Sequence, residues 1–414
     1  MEPVRPVGSG FFPLDEELDL LPGSLTPTQQ EHLVHLATVM PFAQAGKMLE
    51  SLLGVQVSEA TVRRMTEQAG AQYEQGQTAQ SQLPEPEEQP VLVPLKQAIS
   101  SDGAYVPLIS GEWAEVRTLA IGEVETHTSA QGTEHVKVTH LSYFSRMTDA
   151  ETFEQLAEVE IRRRRVRDAQ SMCAVTDGAV WLQQFIDLHR PDALRILDFA
   201  HAAEYVSAIG EAVRASGRRL PSTWLDGVLH RLKHEGPDRV LVHLNRLGER
   251  CRDSEVDKKL RYLATRHDLM QYPTYQQAGW PIGSGMVECA NKLVMQTRLK
   301  GPGMRWAPTH VNPMLALRTA VCNERWAEAW QEIVTHRRHQ RTMRFQQRAT
   351  PRLQQGISSL LLLLLQLRPP TPKAAPKPAV PLAPAATLPG SSRPSAHHPW
   401  KRTPACRPKL VAKN

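Results

Sequence analysis

The sequence has 414 residues, of which 41% are hydrophobic, so it can bury a substantial core and form two or three domains. Its five cysteines are scattered, without the paired spacing of a zinc site or a disulfide framework. The start of the chain lacks the pattern of a signal peptide, and the longest apolar run, Leu360 to Leu365, is far too short to span a bilayer. Composition therefore excludes a disulfide-stapled secreted domain and a membrane protein, and we expect a cytoplasmic protein.

The formal net charge of +6 is distributed unevenly along the chain. No Asp or Glu follows Glu332, whereas about 15 Lys and Arg do, so the part before this point carries about −9. The end of the chain is also rich in Pro and Ala, and we predict that residues 336–414 form a basic disordered tail. Such a tail attracts phosphate backbones without reading sequence, or it is a solvated segment with no binding role.

The first segment, residues 1–75, is predicted to be a helical unit. It contains a pattern of two helices joined by a short turn, and Ser58 is a good N-cap for the second helix. If the pair is a helix-turn-helix, the second helix presents Arg63 and Arg64 outward to DNA. A pair of packed helices that never contacts DNA is the alternative. A polar, proline-bearing linker is predicted to follow at residues 76–92.

The central part of the chain alternates between β-forming and helical patterns. Three stretches rich in β formers come first, then a helix, and then two short apolar strands that are each followed by a helix. This is the element order of an RNase H-like α/β domain. We therefore predict an RNase H-like mixed sheet formed by residues 93–204 and 281–335, interrupted by an all-helical insertion at residues 205–280.

Three acids occur where this fold brings chain segments together. Asp102 lies in the first strand, Asp177 directly follows the fourth strand, and Glu288 begins the late helix after the insertion. The first and fourth strands are neighbours in an RNase H-like sheet, so the two aspartates can lie side by side. Hard divalent cations prefer carboxylate oxygens, and a pair of such ions stabilises both oxygens that exchange at a phosphodiester. Jointly the acids predict a metal site, although a single Asp-Gly pair is more often a turn.

A second group of metal-ligating residue types follows the fifth strand. Asp198, His201 and Glu204 stand at helical spacing and could themselves ligate a metal. This group competes with Asp177 for a place in the site. We assign Asp198 and His201 a supporting role, and the alternative for His201 is a histidine paired with a neighbouring carboxylate.

Several segments of the chain form a specific combination: GFFPLDEEL, SDGAYVPL, EWAEVRTLAIG, TDGAVW, LDFAHAAEYV, GSGMVECANKLVMQTRLKGPGMRW and LALRTAVCNERWAEAW. In this combination, from Gly10 to about Trp330, the chain resembles the bacterial ISKra-type insertion-sequence transposases, which are distantly similar to Mutator-like transposases. The resemblance implies a DDE transposase with an RNase H-like catalytic domain, in which Asp102, Asp177 and Glu288 are catalytic and bind two Mg²⁺ ions, with Mn²⁺ as an alternative. The chain continues well beyond the family pattern, as a readthrough or fused segment would.

The resemblance also implies partners and a mechanism. The partners would be DNA, namely the terminal inverted repeats of the element and a target, bound by a homodimer or larger assembly in the bacterial nucleoid. Metal-activated water would cleave the element end, and the freed 3′-hydroxyl would attack target DNA. A DNA-binding protein derived from an inactive transposase and an RNase H-like nuclease are the alternatives, since the same fold and ions serve a nuclease.

Basic residues follow Glu288 along the late helix and its loop. Lys292, Arg298, Lys300 and Arg305 are predicted to steady the DNA strand beside the metal site. Trp306 is interpreted as a core residue, with stacking on an unpaired base as the alternative. The run from Arg162 to Arg165 either binds phosphates or ends a solvated helix.

Overall fold

The computed structural model describes residues 25–84, 94–128, 132, 134–251 and 253–366. The chain divides into two compact units, Met1–Gln347 and Arg348–Asn414. Predictions for residues 1–24, 85–93 and 367–414 lie outside the described residues. These include the GFFPLDEEL segment, most of the linker and most of the tail.

The elements follow one another in this order: α1 Pro27–Val39, α2 Phe42–Leu53, α3 Glu59–Ser81, β1 Lys96–Pro107, β2 Trp113–Thr128, β3 Glu134–Arg146, α4 Ala150–Arg163, β4 Ser171–Thr176, α5 Val180–His189, β5 Leu194–Leu197, α6 Phe199–Ala215, α7 Trp224–Glu235, α8 Pro237–Gly248, α9 Ser254–Ala264, α10 Tyr272–Gln277, α11 Gly285–Ala290, a π-helical segment Asn291–Gln296, α12 Thr297–Leu299, α13 Pro308–Cys322 and α14 Trp326–Gln366. Short 3₁₀ turns lie at Val166–Asp168 and His267–Met270. None of the described helices combines the length and apolarity needed to cross a membrane.

Five strands form one mixed sheet in the order β3-β2-β1-β4-β5. The strands β1, β2 and β3 pair antiparallel, whereas β4 pairs parallel with β1 and β5 pairs parallel with β4. The three predicted β-forming stretches and the two predicted short strands are therefore confirmed. The mixed α/β class is confirmed as well.

Both faces of the sheet are covered, because successive side chains of a strand point to opposite sides. Ala98 of β1 belongs to a core cluster shared with α6, the helices that follow it, and α13. Its neighbour Ile99 belongs to a second cluster, together with Phe153 of α4 and Phe185 of α5. The sheet is thus held between two packed helical layers, which give the residues at the strand ends a rigid support.

The region between β5 and α11 is helical, as predicted for the insertion, but its first boundary differs. Helix α6 runs without interruption to Ala215, past the predicted start at residue 205. The later helices reach back to the sheet, since the Tyr272 hydroxyl donates to the Leu197 carbonyl over 3.0 Å. This helical region therefore braces the carboxyl end of β5.

The predicted boundary after the N-terminal helices needs correction. Helix α3 continues to Ser81, so residues 76–81 of the predicted linker are helical. The continuation buries Gln77, which accepts a hydrogen bond from the buried Arg146 guanidinium. A polar side chain at a buried position gives no apolar periodicity, and this is why the pattern ended too early.

The N-terminal helices share a core with the end of the first unit. Val34 and Tyr73 cluster with Ala316 of α13 and Trp330 of α14. Gly70 lies so close to Pro313 that an added Cβ would come within 2.4 Å of the proline carbonyl oxygen. The helical unit is therefore packed against later helices and is not an isolated module.

The predicted tail also needs correction, because residues 336–366 belong to α14. Residues 326–350 contain neither Pro nor Gly, and their polar, basic composition fits an exposed helix as well as a disordered chain. The prediction of disorder was thus wrong for this stretch.

Candidate active site

A polar cleft of about 190 Å³ lies where β1, β4 and β5 meet α6 and α11. Its charged and titratable lining residues are Asp102, Asp177, Asp198, His201, Glu204 and Glu288. The three predicted catalytic acids and the two predicted supporting residues thus line the same cleft, although they come from four separate parts of the chain: β1, the loop after β4, the start of α6, and α11.

Asp102 lies in β1 opposite Thr118 of β2, and both of its carboxylate oxygens are held. Oδ1 accepts the Gly103 backbone N–H over 2.7 Å, and Oδ2 accepts the Asn291 side-chain amide over 3.0 Å. Burial raises the pKa of Asp102 above its ordinary value, and the carboxylates of Asp177 and Glu288 raise it further, while the Gly103 hydrogen bond opposes both. This carboxylate is therefore an electrostatically strained group, which a cation would relieve.

Asp177 directly follows β4 in a tight turn. Its Oδ1 accepts the Ala179 backbone N–H over 2.8 Å, and its carbonyl accepts the Tyr262 hydroxyl. The next residue, Gly178, has a φ of 76°, and an added Cβ would lie 2.5 Å from Arg266 Nε. Arg266 in turn donates to the Gly178 carbonyl over 2.7 Å. Two side chains of the helical region between β5 and α11 therefore hold the backbone that carries Asp177.

Asp198 is buried at the start of α6 and is fully engaged with the backbone. Oδ2 accepts the His201 N–H over 3.2 Å as an N-cap, and Oδ1 accepts the Ser284 N–H over 3.0 Å. The second bond joins α6 to the residue preceding α11. Asp198 thus positions the helix that carries Glu288.

His201 faces the cleft from the first turn of α6. Its Nδ1 lies 3.7 Å from Glu204 Oε2, one turn along the same helix, and its ring packs edge-on against Tyr205 and Tyr262. The neighbouring carboxylate named in the alternative interpretation of His201 is therefore present, and the supporting role of His201 stays a prediction.

Glu288 is exposed in the first turn of α11, and Asn291 lies one turn further along. Asn291 is buried and begins the π-helical segment. Single π-helical turns in α-helices are often found at functional sites. Here the segment turns the Asn291 amide onto Asp102, so the late helix contributes a carboxylate and a hydrogen-bond donor to the same cleft.

The donor set of the cleft suits a hard divalent cation. Carboxylate oxygens are the ligands that Mg²⁺ prefers. Three acids line the cleft, and the raised pKa of Asp102 reflects its burial and the negative charge of the other two. Within the described residues, only Glu123, Glu125 and His140 bring three ligand atoms within 4.8 Å of one another, and the cleft acids do not approach that closely as a trio. Glu123 is already paired with Arg164 over 3.4 Å.

Residues 8–279 match the family described as Uncharacterised protein family (UPF0236), which is more than half of the chain. The chain belongs to UPF0236. No curated protein matches the sequence. The UPF0236 match includes Asp102, Asp177 and Asp198 and ends before Glu288, so the cleft combines residues from inside and outside the matched region.

The predicted DNA-contacting residues of the N-terminal helices lie on the surface of this UPF0236 protein. Ser58 caps α3 by accepting the Thr61 N–H over 3.3 Å, as its sequence position predicted. Arg63 and Arg64 are exposed on the first two turns of α3. The pair α2–α3 therefore presents two cations to solvent.

The predicted contacts on the late helix separate into two groups. Lys292 and Arg305 are exposed and Lys300 is half-buried, whereas Arg298 is only 2% exposed. Arg298 donates to the Ala37 carbonyl over 2.9 Å, and its burial lowers its pKa to about 10. This corrects the prediction for Arg298, which joins α12 to α1 in the interior.

Two ambiguous sequence features acquire structural roles. Trp306 is buried, and its Nε1 donates to the Leu299 carbonyl over 3.1 Å, in agreement with the core interpretation. The arginines from 162 to 165 form intramolecular ion pairs, for example Arg162 with Glu158 over 2.5 Å. That run stabilises the end of α4.

Sequence reasoning missed residues that shape the cleft without being acidic. Asn291 stands three residues after Glu288, a spacing that places both on one side of a helix, and this signal could have identified it. Tyr262 and Arg266 carry no comparable signal, because only the packing of α9 against the β4 loop brings them there.

Proposed function

We propose that this UPF0236 protein is a DDE transposase that cleaves the DNA ends of an insertion sequence and transfers the strands to target DNA. The observation that carries the proposal is the shared cleft of Asp102, Asp177 and Glu288. Acids from a central strand, a neighbouring strand end and a distant helix would seldom line one cleft unless they shared a function.

The strand arrangement supports an RNase H-like catalytic domain. The order β3-β2-β1-β4-β5, with β4 parallel to β1, places the position of Asp102 beside the end of β4, where Asp177 follows. The same placement was expected from the RNase H-like order. The helical stretch between β5 and α11 corresponds to the proposed insertion.

Asp102, Asp177 and Glu288 would hold two Mg²⁺ ions, with Mn²⁺ as an alternative. Bound ions would stabilise the attacking and leaving oxygens of the phosphodiester and activate water. Asn291 orients the Asp102 carboxylate, while the Gly178 turn fixes the backbone of Asp177. These contacts keep the acids in place before DNA arrives, which reduces the reorganisation that the reaction requires.

DNA would be held by exposed cations outside the cleft. Arg63 and Arg64 on α3 would contact the element ends, while Lys292, Lys300 and Arg305 would contact the strand near the cleft. A homodimer or larger assembly on DNA in the bacterial nucleoid accords with this proposal, because two element ends must meet.

The test is incubation of the purified protein with its flanking element ends and Mg²⁺, followed by separate detection of cut and joined products. Asp102→Ala and Glu288→Ala should each reduce cleavage more than about a thousandfold, as removal of catalytic groups that act as a unit does. Binding to the ends should remain. Glu211→Gln, an exposed acid further along α6, is the matched control.

The outcomes distinguish the alternatives. Full cleavage by either alanine variant would overturn the assignment of the acids. Cutting without joining by the unaltered protein would indicate a nuclease, and specific binding without cutting would indicate a DNA-binding protein derived from an inactive transposase.

A further inference from the structure

A second surface pocket, of about 320 Å³, lies at the tip of the β1–β2 hairpin. The hairpin contributes Pro107 and Trp113, and the loop after α12 contributes Lys300, Met304 and Arg305. Trp113 is 60% exposed. A tryptophan left in water at the rim of a basic pocket forgoes the burial that its large apolar surface would otherwise gain.

The pocket has a fixed geometry. The Trp306 N–H donates to the Pro107 carbonyl over 3.0 Å, and the Ile109 N–H donates to the Trp306 carbonyl over 3.0 Å. These bonds fasten the loop to the hairpin. Lys300 Nζ lies 5.6 Å from the Trp113 ring centroid, within range of a cation–π contact. The aromatic ring and the cation are therefore presented together on a supported surface.

The environment of Trp113 differs from that of the neighbouring Trp306. Trp306 is buried and its indole N–H is satisfied by a backbone carbonyl, so it serves the core. Trp113 has the opposite environment, with an open pocket beside it and cations at Lys300 and Arg305. An exposed aromatic face flanked by cations matches a nucleotide, whose base stacks and whose phosphate is anionic.

The position of the pocket relates it to the carboxylate cleft. Pro107, the partner of Trp113 across the hairpin, stands five residues beyond Asp102 on β1, which is about 17 Å along the strand. A nucleic acid strand with about 3.4 Å per nucleotide covers that span in about five nucleotides. β1 therefore contributes to both sites, and the length that separates them along the strand is one that a few nucleotides span.

We propose that this pocket is a stacking site for an unpaired base of the DNA substrate. Trp113 stacks on the base, while Lys300 and Arg305 contact the adjoining phosphates. The identity of the nucleic acid as DNA rests on the proposed function. A base inside a duplex is covered by its neighbours, so the site selects single-stranded or locally opened DNA.

The test measures binding of the full chain to a labelled oligothymidylate strand and to a fully paired duplex, without divalent cations so that cleavage plays no part. Trp113→Ala should weaken single-strand binding about five- to hundredfold and change duplex binding less than about twofold. Trp113→Phe should retain most of the affinity, since it keeps an aromatic face. Leu188→Ala, which removes an equally exposed apolar side chain elsewhere, is the control.

The charge contribution has its own readout. The double variant Lys300→Gln and Arg305→Gln should make the slope of log affinity against log salt shallower by about 1.4 for the single strand, because each phosphate contact contributes about 0.7. Arg239→Gln, an exposed cation on α8, should leave the slope unchanged. Thermal unfolding of each variant establishes that it is folded.

Some results would overturn the stacking site: no single-strand binding by the unaltered chain, unchanged single-strand binding by Trp113→Ala, or equal losses on single strand and duplex. These outcomes are separable from the proposed catalysis. A chain that binds single strands through Trp113 but never cleaves element ends retains this site and loses the transposase assignment.

Discussion

The carboxylate cleft and the exposed face of α3 differ in how they hold their charges. In the cleft, Asp102 and Asp198 are held by hydrogen bonds from other segments, and burial shifts the pKa of Asp102. On α3, Arg63 and Arg64 project from adjacent helical positions into solvent. Fixed, desolvated acids suit bond-making chemistry, whereas exposed, flexible cations suit contact with a phosphate backbone. In the proposed function, the reaction takes place in the cleft, whereas α3 contacts the element ends.

The two regions are nevertheless connected through buried arginines. Arg318 of α13 donates to the Thr38 carbonyl over 3.1 Å and to the Val294 carbonyl over 3.2 Å. It thereby satisfies a carbonyl of the π-helical segment that begins at Asn291. Arg298 makes a parallel connection to Ala37. The helix that supports the cleft is thus joined to the end of α1.

The largest expected effect follows from this connection. Deletion of residues 1–75 should prevent stable folding of the remainder, because it uncovers the core around Trp330 and removes the Ala37 carbonyl from Arg298 and the Thr38 carbonyl from Arg318. Stabilities of about 5–15 kcal/mol do not survive such losses. Circular dichroism and a thermal melt of the truncated chain provide the measurement, with a chain ending at residue 347 as the control. A truncated chain that melts cooperatively at the original temperature would show that the regions are independent.

A smaller effect, on chemistry alone, is expected at Asn291. Asn291→Ala removes the donor to Asp102 and should lower cleavage about 10- to 100-fold, the usual cost of losing a residue that orients a metal ligand. The Mg²⁺ concentration for half-maximal cleavage should rise, whereas binding to element ends should not change. Asn245→Ala on the exposed surface of α8 is the control. Equal losses in binding and cleavage would instead indicate a general structural defect.

The sheet and its acids were accessible from sequence because they depend on local patterns. The strands β1 to β5 alternate or cluster apolar residues, and Asp102 and Asp177 stand at recognisable strand positions. The burial of Arg298 and the extension of α3 to Ser81 were not accessible, because polar residues at buried positions interrupt the periodicity on which prediction depends. Asn291 is intermediate, since its spacing from Glu288 is visible but its π-helical context is not.

The contribution of the exposed face of α3 is tested by the salt dependence of DNA binding. Replacing Arg63 and Arg64 together by Ala should make the slope of log affinity against log salt shallower by about 2 and should weaken duplex binding about tenfold. Cleavage of DNA that is already bound should remain. Arg239→Ala, a solvent-exposed arginine on α8, is the control. An unchanged slope would move DNA contact away from α3.

The smallest expected effect concerns stability at the cleft. Asp102→Asn removes a carboxylate that burial and neighbouring acids disfavour, so in the absence of divalent cations at pH 7 it should raise the free energy of unfolding slightly, with a rise in Tm of about 2 °C or less. The pKa of Asp102 is raised in the folded state, so the folded chain holds this proton more tightly than the unfolded chain. The associated stability is present at low pH and is lost as pH rises through the folded pKa. The advantage of the variant should therefore shrink as pH falls below that pKa and vanish below the ordinary aspartate value.

Addition of Mg²⁺ should reverse the order of stability of the two chains at pH 7, because a bound cation stabilises only the chain that retains the carboxylate. A variant less stable than the unaltered chain at pH 7 without Mg²⁺ would mean that the bonds from Gly103 and Asn291 outweigh the electrostatic cost, and Glu211→Gln provides the reference for an acid outside the cleft.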